Sequence, residues 1–182
     1  MEFRVITGHV FIATSLDGFI ARESGDIDWL LKYDQAGEDH GYDAFIKDID
    51  VIVMGRGTYE AVRSMGEWFY TRPVLVLSAK LAQQDVPDEL SGKVRFSDKP
   101  PKDALAMLTS EGGRRAYVDG GRIIQSFLEL DMISDMVITK VPVLLGVGRP
   151  LFGGGQRDVA LAHKGTRSFP SGLVQSHYHV LK

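Results

Sequence analysis

Val51-Ile52-Val53-Met54-Gly55-Arg56-Gly57-Thr58-Tyr59 is the stretch from which the rest of the chain can be read. Four consecutive apolar residues, three of them β-branched, read as a core strand. Gly55 then lets the backbone turn and come close to a ligand. Thr58 is a favourable N-cap for a helix over Thr58–Met65. The free N–H groups at such a helix start form an anion site, and Arg56 adds a planar fork of donors suited to phosphate. In purely structural terms the same residues are a strand–helix turn carrying a surface arginine.

Outward from this unit the alternation continues. Val10–Thr14, Val74–Leu77, Val94–Phe96, Ala116–Val118 and Met136–Val141 read as strands. Tyr42–Ile49, Lys102–Ser110 and Arg122–Leu130 have helical spacing, and Pro100 and Pro101 stand where the second of these should begin. Strands alternating with helices imply a mostly parallel central sheet flanked by helices, the α/β class. Residues 158–182 carry no helical pattern. Leu173–Leu181 alternates loosely with polar residues, which predicts a C-terminal antiparallel hairpin or edge. At 182 residues with no repeat or low-complexity linker, a single domain over residues 1–182 is expected.

Composition narrows the function classes. Hydrophobic residues make up 44% and charged residues 25%, so disorder is not expected. A net charge of −3 gives no broad attraction for nucleic acid or an anionic membrane. The absence of cysteine removes disulfides, thiolate metal sites and cysteine nucleophiles. No run approaches the roughly 20 apolar residues of a spanning helix, and the N-terminus shows no signal-peptide pattern. The expectation is a cytoplasmic chain acting on a small molecule, with no nucleic-acid or membrane partner.

Open parallel sheets bind ligands at the carboxyl ends of their strands. Two further segments lie there. In Tyr117-Val118-Asp119-Gly120-Gly121-Arg122-Ile123, paired glycines at a helix start expose N–H groups able to cradle a pyrophosphate. Valine at Gly121 is therefore expected to block cofactor binding without unfolding the chain. In Leu77-Ser78-Ala79-Lys80, Ser78 and Lys80 could join Arg56 around the additional phosphate of NADP. The Rossmann fingerprint is missing: Gly146-Val147-Gly148-Arg149-Pro150-Leu151 lacks the third glycine, and Pro150 spoils the helix that should follow.

Five segments occur in order: Ala13-Thr14-Ser15-Leu16-Asp17-Gly18-Phe19-Ile20-Ala21, Met54–Tyr59, Leu77-Ser78, Val118–Ile123 and Val141–Phe152. Together they resemble the dihydrofolate-reductase superfamily, and within it the reductase domain of bacterial riboflavin biosynthesis and its stand-alone relatives. The resemblance covers roughly residues 8–180. It implies a dihydrofolate-reductase-like fold with NADPH lying across the sheet. Gly55, Arg56 and Thr58 would meet the cofactor phosphates, and Ser78 would lie near the adenosine phosphate. Gly120, Gly121, Arg122 and Ile123 would hold the pyrophosphate. Ala13 would approach the nicotinamide, and the loop Ser15-Leu16-Asp17-Gly18 would border both nicotinamide and substrate. The implied activity is hydride transfer to a small heterocycle, either the pyrimidine of riboflavin biosynthesis or a pterin-like compound. Relatives are often homodimers, and the apolar segment Pro142–Phe152 suits either a subunit interface or the core.

Several side chains have two readings. Trp29 and Tyr59 could form aromatic walls for a flat substrate, or simply pack in the core. Asp17 could bind substrate or relay a proton, or could fix an Asp-Gly turn. Asp39, and Asp43 one helical turn on, stand about where folate reductases keep a pterin-binding acid. His177 and His179 would share a strand face, but no third ligand is evident, so no metal site is expected. Two alternatives to a reductase stay open on the same fold: a nucleotide-binding module without catalysis, and an interaction protein. Hydride transfer to a test substrate separates the first, and tight NADPH binding counts against the second.

Overall fold

A computed structural model describes residues 5–33, 37–155 and 157–182. Ten strands alternate with helices: β1 (Thr7–Ser15), β2 (Phe19–Ala21), α1 (Asp28–Leu31), α2 (Tyr42–Lys47), β3 (Val51–Gly55), α3 (Arg56–Ser64), β4 (Val74–Leu77), β5 (Val94–Ser97), α4 (Pro101–Ser110), β6 (Arg115–Asp119), α5 (Gly121–Glu129), β7 (Ile133–Val141), β8 (Arg149–Pro150), β9 (Leu161–Ser168) and β10 (Val174–Val180). Eight strands form one sheet in the order β5-β4-β3-β6-β1-β7-β10-β9, and β2 pairs separately with β8. Neighbours from β5 to β7 are parallel, whereas β10 runs antiparallel to both β7 and β9. The C-terminal hairpin expected from the loose alternation is therefore present.

Both faces of the parallel part are covered, which is why Val51–Met54 is buried throughout rather than alternately. On one face Val10, Val53, Val118 and Met136 pack with Ile124 and Phe127 of α5 and Leu105 and Leu108 of α4. On the other, Ile52, Met54, Val74, Val76 and Tyr117 pack with Ile46 of α2 and Tyr59 of α3. A third cluster joins Trp29 to Val141 and Leu173. The outermost strand, β9, is exposed along almost its whole length.

One boundary and a set of short elements differ from the sequence reading for physical reasons. The helix expected to start at Thr58 begins at Arg56, because Gly55 is extended (φ −88°, ψ 170°) and itself occupies the cap position. Thr58 is thus inside the first turn, where its hydroxyl is free to face another element. The short β2, α1 and β8 have too few residues for a periodic signal. β2 and β8 exist because Leu151 N–H bonds to Gly18 O and because Phe19 and Ala21 register against Pro150 and Arg149. That pairing folds the glycine-rich 146–151 loop back over the start of the chain. Pro142–Phe152 accordingly splits: Leu151 is buried, while Leu144 and Val147 are exposed.

Candidate active site

The sheet order sets the loops after β4, β3, β6 and β1 side by side. At a spacing of about 4.8 Å per strand, those four strand ends span roughly 14 Å. At the β3 and β6 ends the two glycine-opened helix starts meet. A side chain at Gly55 would touch Ile123 at 3.1 Å. Gly120 has φ +100°, and a Cβ there would overlap the Thr58 hydroxyl. The two helix starts thus pack directly on each other, with Ile123 against Gly55 and the Thr58 hydroxyl against Gly120.

A cleft of about 300 Å³ opens beside this junction. Ala13, Thr58 and Gly120 line it, together with Tyr42, Tyr70 and Asp119. Arg149 enters from the β8 side. Its guanidinium is held by a 3.2 Å hydrogen bond from Nε to Glu23 O. It lies so close to Gly25 and Gly57 that side chains there would touch it. A larger cavity of about 390 Å³ lies elsewhere, between the loop before α2 and the face of β7, β10 and β9. The smaller cleft is the one at the carboxyl ends of the parallel strands, where the helix amides converge.

Asp119 is the acid of this cleft. It ends β6, and its Oδ2 accepts a 2.9 Å hydrogen bond from the Tyr70 hydroxyl. Burial pushes its pKa up from the usual carboxylate range, against the hydrogen bonds from Tyr70 and the Gly120 amide that favour the charged form. The tyrosines respond in kind: burial and the Asp119 charge push Tyr42 up to about 12 and raise Tyr70 as well. Tyr117 donates to Phe11 O at 2.9 Å and is buried beneath the same wall. All three phenols therefore stay protonated at neutral pH.

Other residues expected at the site fall into three groups. Gly55, Arg56, Gly121, Arg122 and Ile123 flank the helix-start junction without lining the cleft. Arg56 is 3.8 Å from Glu60 in a solvent-exposed pair. Ser78 and Lys80 follow β4 at the far end of the row. Ser78 Oγ accepts from Leu81 N–H at 3.2 Å, and Lys80 is exposed.

Trp29 and Tyr59 are core residues, 2% and 6% exposed. Tyr59 packs on Trp68 and Phe96, and neither residue lines the cleft. Asp39 is exposed and ties the preceding loop to Gly41 N–H at 2.8 Å, so it too stands outside the cleft. Gly121 is tight for a structural reason: a Cβ there would stand 2.6 Å from Pro150 O. Valine at this position would press on the 146–151 loop as well as on a bound cofactor, so Gly121→Val needs a thermal-unfolding measurement beside the cofactor titration.

Asp17 and Ser15 form a clasp. Ser15 Oγ donates to Asp17 Oδ1 at 2.6 Å and accepts from Phe19 N–H at 2.9 Å. The other Asp17 oxygen accepts from Gly146 N–H at 2.8 Å, and Leu145 N–H is 3.2 Å away. The Ser15 hydrogen bond, helped by the Gly146 and Leu145 amides, holds the Asp17 pKa below its ordinary value despite some loss of solvent. A carboxylate so held is a poor proton donor, and Asp17 does not line the cleft. In this geometry it pins the loop after β7. The folded pKa lies below the unfolded one, so this contribution is present at neutral pH and lost as the pH falls through the folded value. Asp17→Ala is expected to lower the thermal midpoint measurably while leaving NADPH affinity within a few-fold, as read by thermal unfolding and fluorescence titration.

Sequence reading missed Asp119, Tyr70 and Arg149 as site residues. Asp119 had a positional signal, since it is the last residue of a parallel strand and precedes Gly120. Tyr70 had none, because its partner is 49 positions away and its segment lacks periodicity.

A mostly parallel sheet with an antiparallel C-terminal hairpin, and a cleft at the strand ends beside two glycine-opened helix starts, defines the reductase fold of riboflavin-biosynthesis and dihydrofolate-reductase proteins. The chain belongs to the RibD C-terminal domain family, which matches residues 7–175. It is 35% identical over 170 residues to the uncharacterized protein YwjB of Bacillus subtilis, covering 93% of this chain and 95% of that protein. The crystal structure of the "putative riboflavin biosynthesis protein" of Shewanella sp. PV-4 matches with a TM-score of 0.90 and 38% identity, over 97% of this chain and 100% of that one. Enterococcus faecalis dihydrofolate reductase, complexed with NADP(H) and RAB-propyl, shares the fold at a TM-score of 0.66 and 17% identity over 99% of both chains. Among the described residues no helix is long and apolar enough to cross a membrane.

Proposed function

We propose that this chain is an NADPH-dependent reductase that delivers hydride to a small heterocycle, a riboflavin-pathway pyrimidine or a pterin-like compound. The observation that carries this reading is the convergence of the α3 and α5 starts, Gly120 against Thr58, beside a cleft holding a half-buried acid. The NADP(H) bound to the structurally similar Enterococcus reductase points the same way. The residues fit such a group: Gly120 adds no side chain at the junction, where a Cβ would collide with the Thr58 hydroxyl, and amides and arginines supply the counter-charge.

When bound, the nicotinamide supplies the hydride, and the protein supplies orientation, a dry pocket and a proton source. Gly55, Thr58, Gly120 and Gly121, with Arg122 and Ile123 behind them, would hold the diphosphate. Arg149 would add charge from the opposite wall. Arg56, Ser78 and Lys80 would meet the phosphate that distinguishes NADPH. Ala13, on the cleft wall, leaves room for a flat ring, and Tyr42 and Tyr70 offer hydroxyls to the substrate. Asp119 would hold the proton, because burial favours its neutral form.

The test is a titration with NADPH and NADH followed by assays on dihydrofolate and on the ribosylaminopyrimidine intermediate. Saturable NADPH binding with turnover of either substrate supports the reading. Binding without turnover favours a module that has lost catalysis. Arg56→Ala is expected to weaken NADPH about tenfold and NADH little, as read by the ratio of the two dissociation constants. Equal losses would remove Arg56 from the additional phosphate.

A further inference from the structure

The register of the last strands brings together side chains far apart in sequence. On β7, Asp135 stands between His9 of β1 and His179 of β10, and His177 faces the neighbouring Val137 position. One ligand atom from each of Asp135, His177 and His179 lies within 4.8 Å of the other two. Two histidines on one strand face had no visible third ligand in the sequence, and antiparallel pairing with β7 provides it.

The carboxylate is already oriented. His9 Nδ1 lies 2.7 Å from Asp135 Oδ2, and Thr7 Oγ1 lies 2.8 Å from His9 Nε2. The remaining oxygen, Oδ1, faces His177 Nε2 at 3.8 Å, too far for a hydrogen bond. That Nε2 is buried and has no hydrogen-bond partner among the described residues, a costly arrangement for a polar atom. Arg115 also approaches His9, at 3.3 Å, and offsets part of the Asp135 charge.

We propose that Asp135, His177 and His179 form a binding site for a divalent ion of the Zn²⁺ class, with His9 as the positioning residue that orients the carboxylate. Two imidazoles and one carboxylate suit such ions, whereas Mg²⁺ and Ca²⁺ take oxygen ligands. A hydrogen-bonded partner behind a ligating carboxylate is a recurrent feature of metal sites. Bond lengths of about 2.0–2.2 Å would bring the ligand atoms to roughly 3.3 Å from one another. His179 is exposed and makes no side-chain hydrogen bond among the described residues, so it can turn inward to close that gap. His9 and Asp135 sit near the amino ends of β1 and β7, away from the cleft. The bound ion would cross-link β10 to β7 and tie down the C-terminal hairpin. Its effect is therefore on stability, since an ion held only by the folded chain shifts the folding equilibrium.

The full chain, treated with chelator, is titrated with Zn²⁺ alone against a chromogenic competitor, with Mg²⁺ in parallel. The expected result is one Zn²⁺ per chain at micromolar affinity or tighter, and a thermal midpoint raised by Zn²⁺ but not by Mg²⁺. His179→Ala, at an exposed position, should fold normally and bind Zn²⁺ at least tenfold more weakly. His177→Ala should do the same. Zn²⁺ affinity unchanged in both variants would overturn the assignment, as would a wild-type chain that takes up no Zn²⁺ below millimolar concentration. NADPH titration of the same variants reports on the cleft separately and should not change.

Discussion

Gly120→Val should reduce NADPH affinity by at least about a hundredfold, the largest effect on cofactor binding expected of any single substitution in the cleft. The residue has φ +100°, a region that β-branched side chains avoid. The new Cβ would also run into the Thr58 hydroxyl, at the point where the two helix starts meet. Either Thr58 swings away or α5 moves back, and the amides that would cradle the diphosphate no longer converge. A hundredfold loss corresponds to about 2.7 kcal/mol, while backbone strain of this kind costs about 1–3 kcal/mol of stability. The two effects are separated by fluorescence titration with NADPH and thermal unfolding by circular dichroism. Gly120→Ala is the milder companion, with the same φ and the same clash but less bulk. Wild-type affinity in a folded Gly120→Val protein would mean that the cofactor does not approach this turn.

Asp119→Asn is expected to lower turnover by about 10²–10⁴-fold, the range for loss of a positioned general acid, with NADPH affinity changed by no more than a few-fold. The amide keeps the shape and can accept from Tyr70, but it has no proton to give. The pH dependence carries the same signature. Burial raises the Asp119 pKa, so activity that needs the neutral form should decline as the pH rises through the folded value. Tyr70→Phe removes a hydrogen bond to the charged form, so that limb should move to higher pH. For stability the sign is likewise fixed. The folded chain binds this proton more tightly than the unfolded chain does, so Asp119 disfavours folding progressively as the pH rises from the usual carboxylate range to its raised value. A pH–rate profile and a thermal-midpoint profile on the three proteins check both statements. Full turnover in Asp119→Asn would assign the proton to water or to a tyrosine.

Much of the architecture was legible because its signals are local. Val51–Met54 and Val74–Leu77 are short apolar runs, and Pro101 does stand at the first position of α4. That the loops after β1, β3, β4 and β6 share the carboxyl edge follows from βαβ alternation, whereas their order along it does not. What was not legible depends on contacts between distant segments. Trp29 had two readings, pocket wall or core, and only its burial under Val141 and Leu173, more than a hundred positions away, decides for the core. Asp17 had two readings as well, and its hydrogen bonds to amides near residue 146 come from a segment no local signal connects to it. Asp119 went unnoticed beside its more conspicuous glycines, because only burial by Tyr70 and its neighbours makes it an unusual carboxyl.

The outermost strand has a consequence for behaviour at high concentration. Among the described residues β9 has no neighbour on its outer side, an arrangement that invites strand-by-strand stacking into fibrils. His163, Lys164 and Arg167 punctuate it, and the register shift opposite His177 and Tyr178 breaks the flatness a stacking copy would need. The border therefore repels its own kind, and concentrated samples should stay free of cross-β growth through this edge.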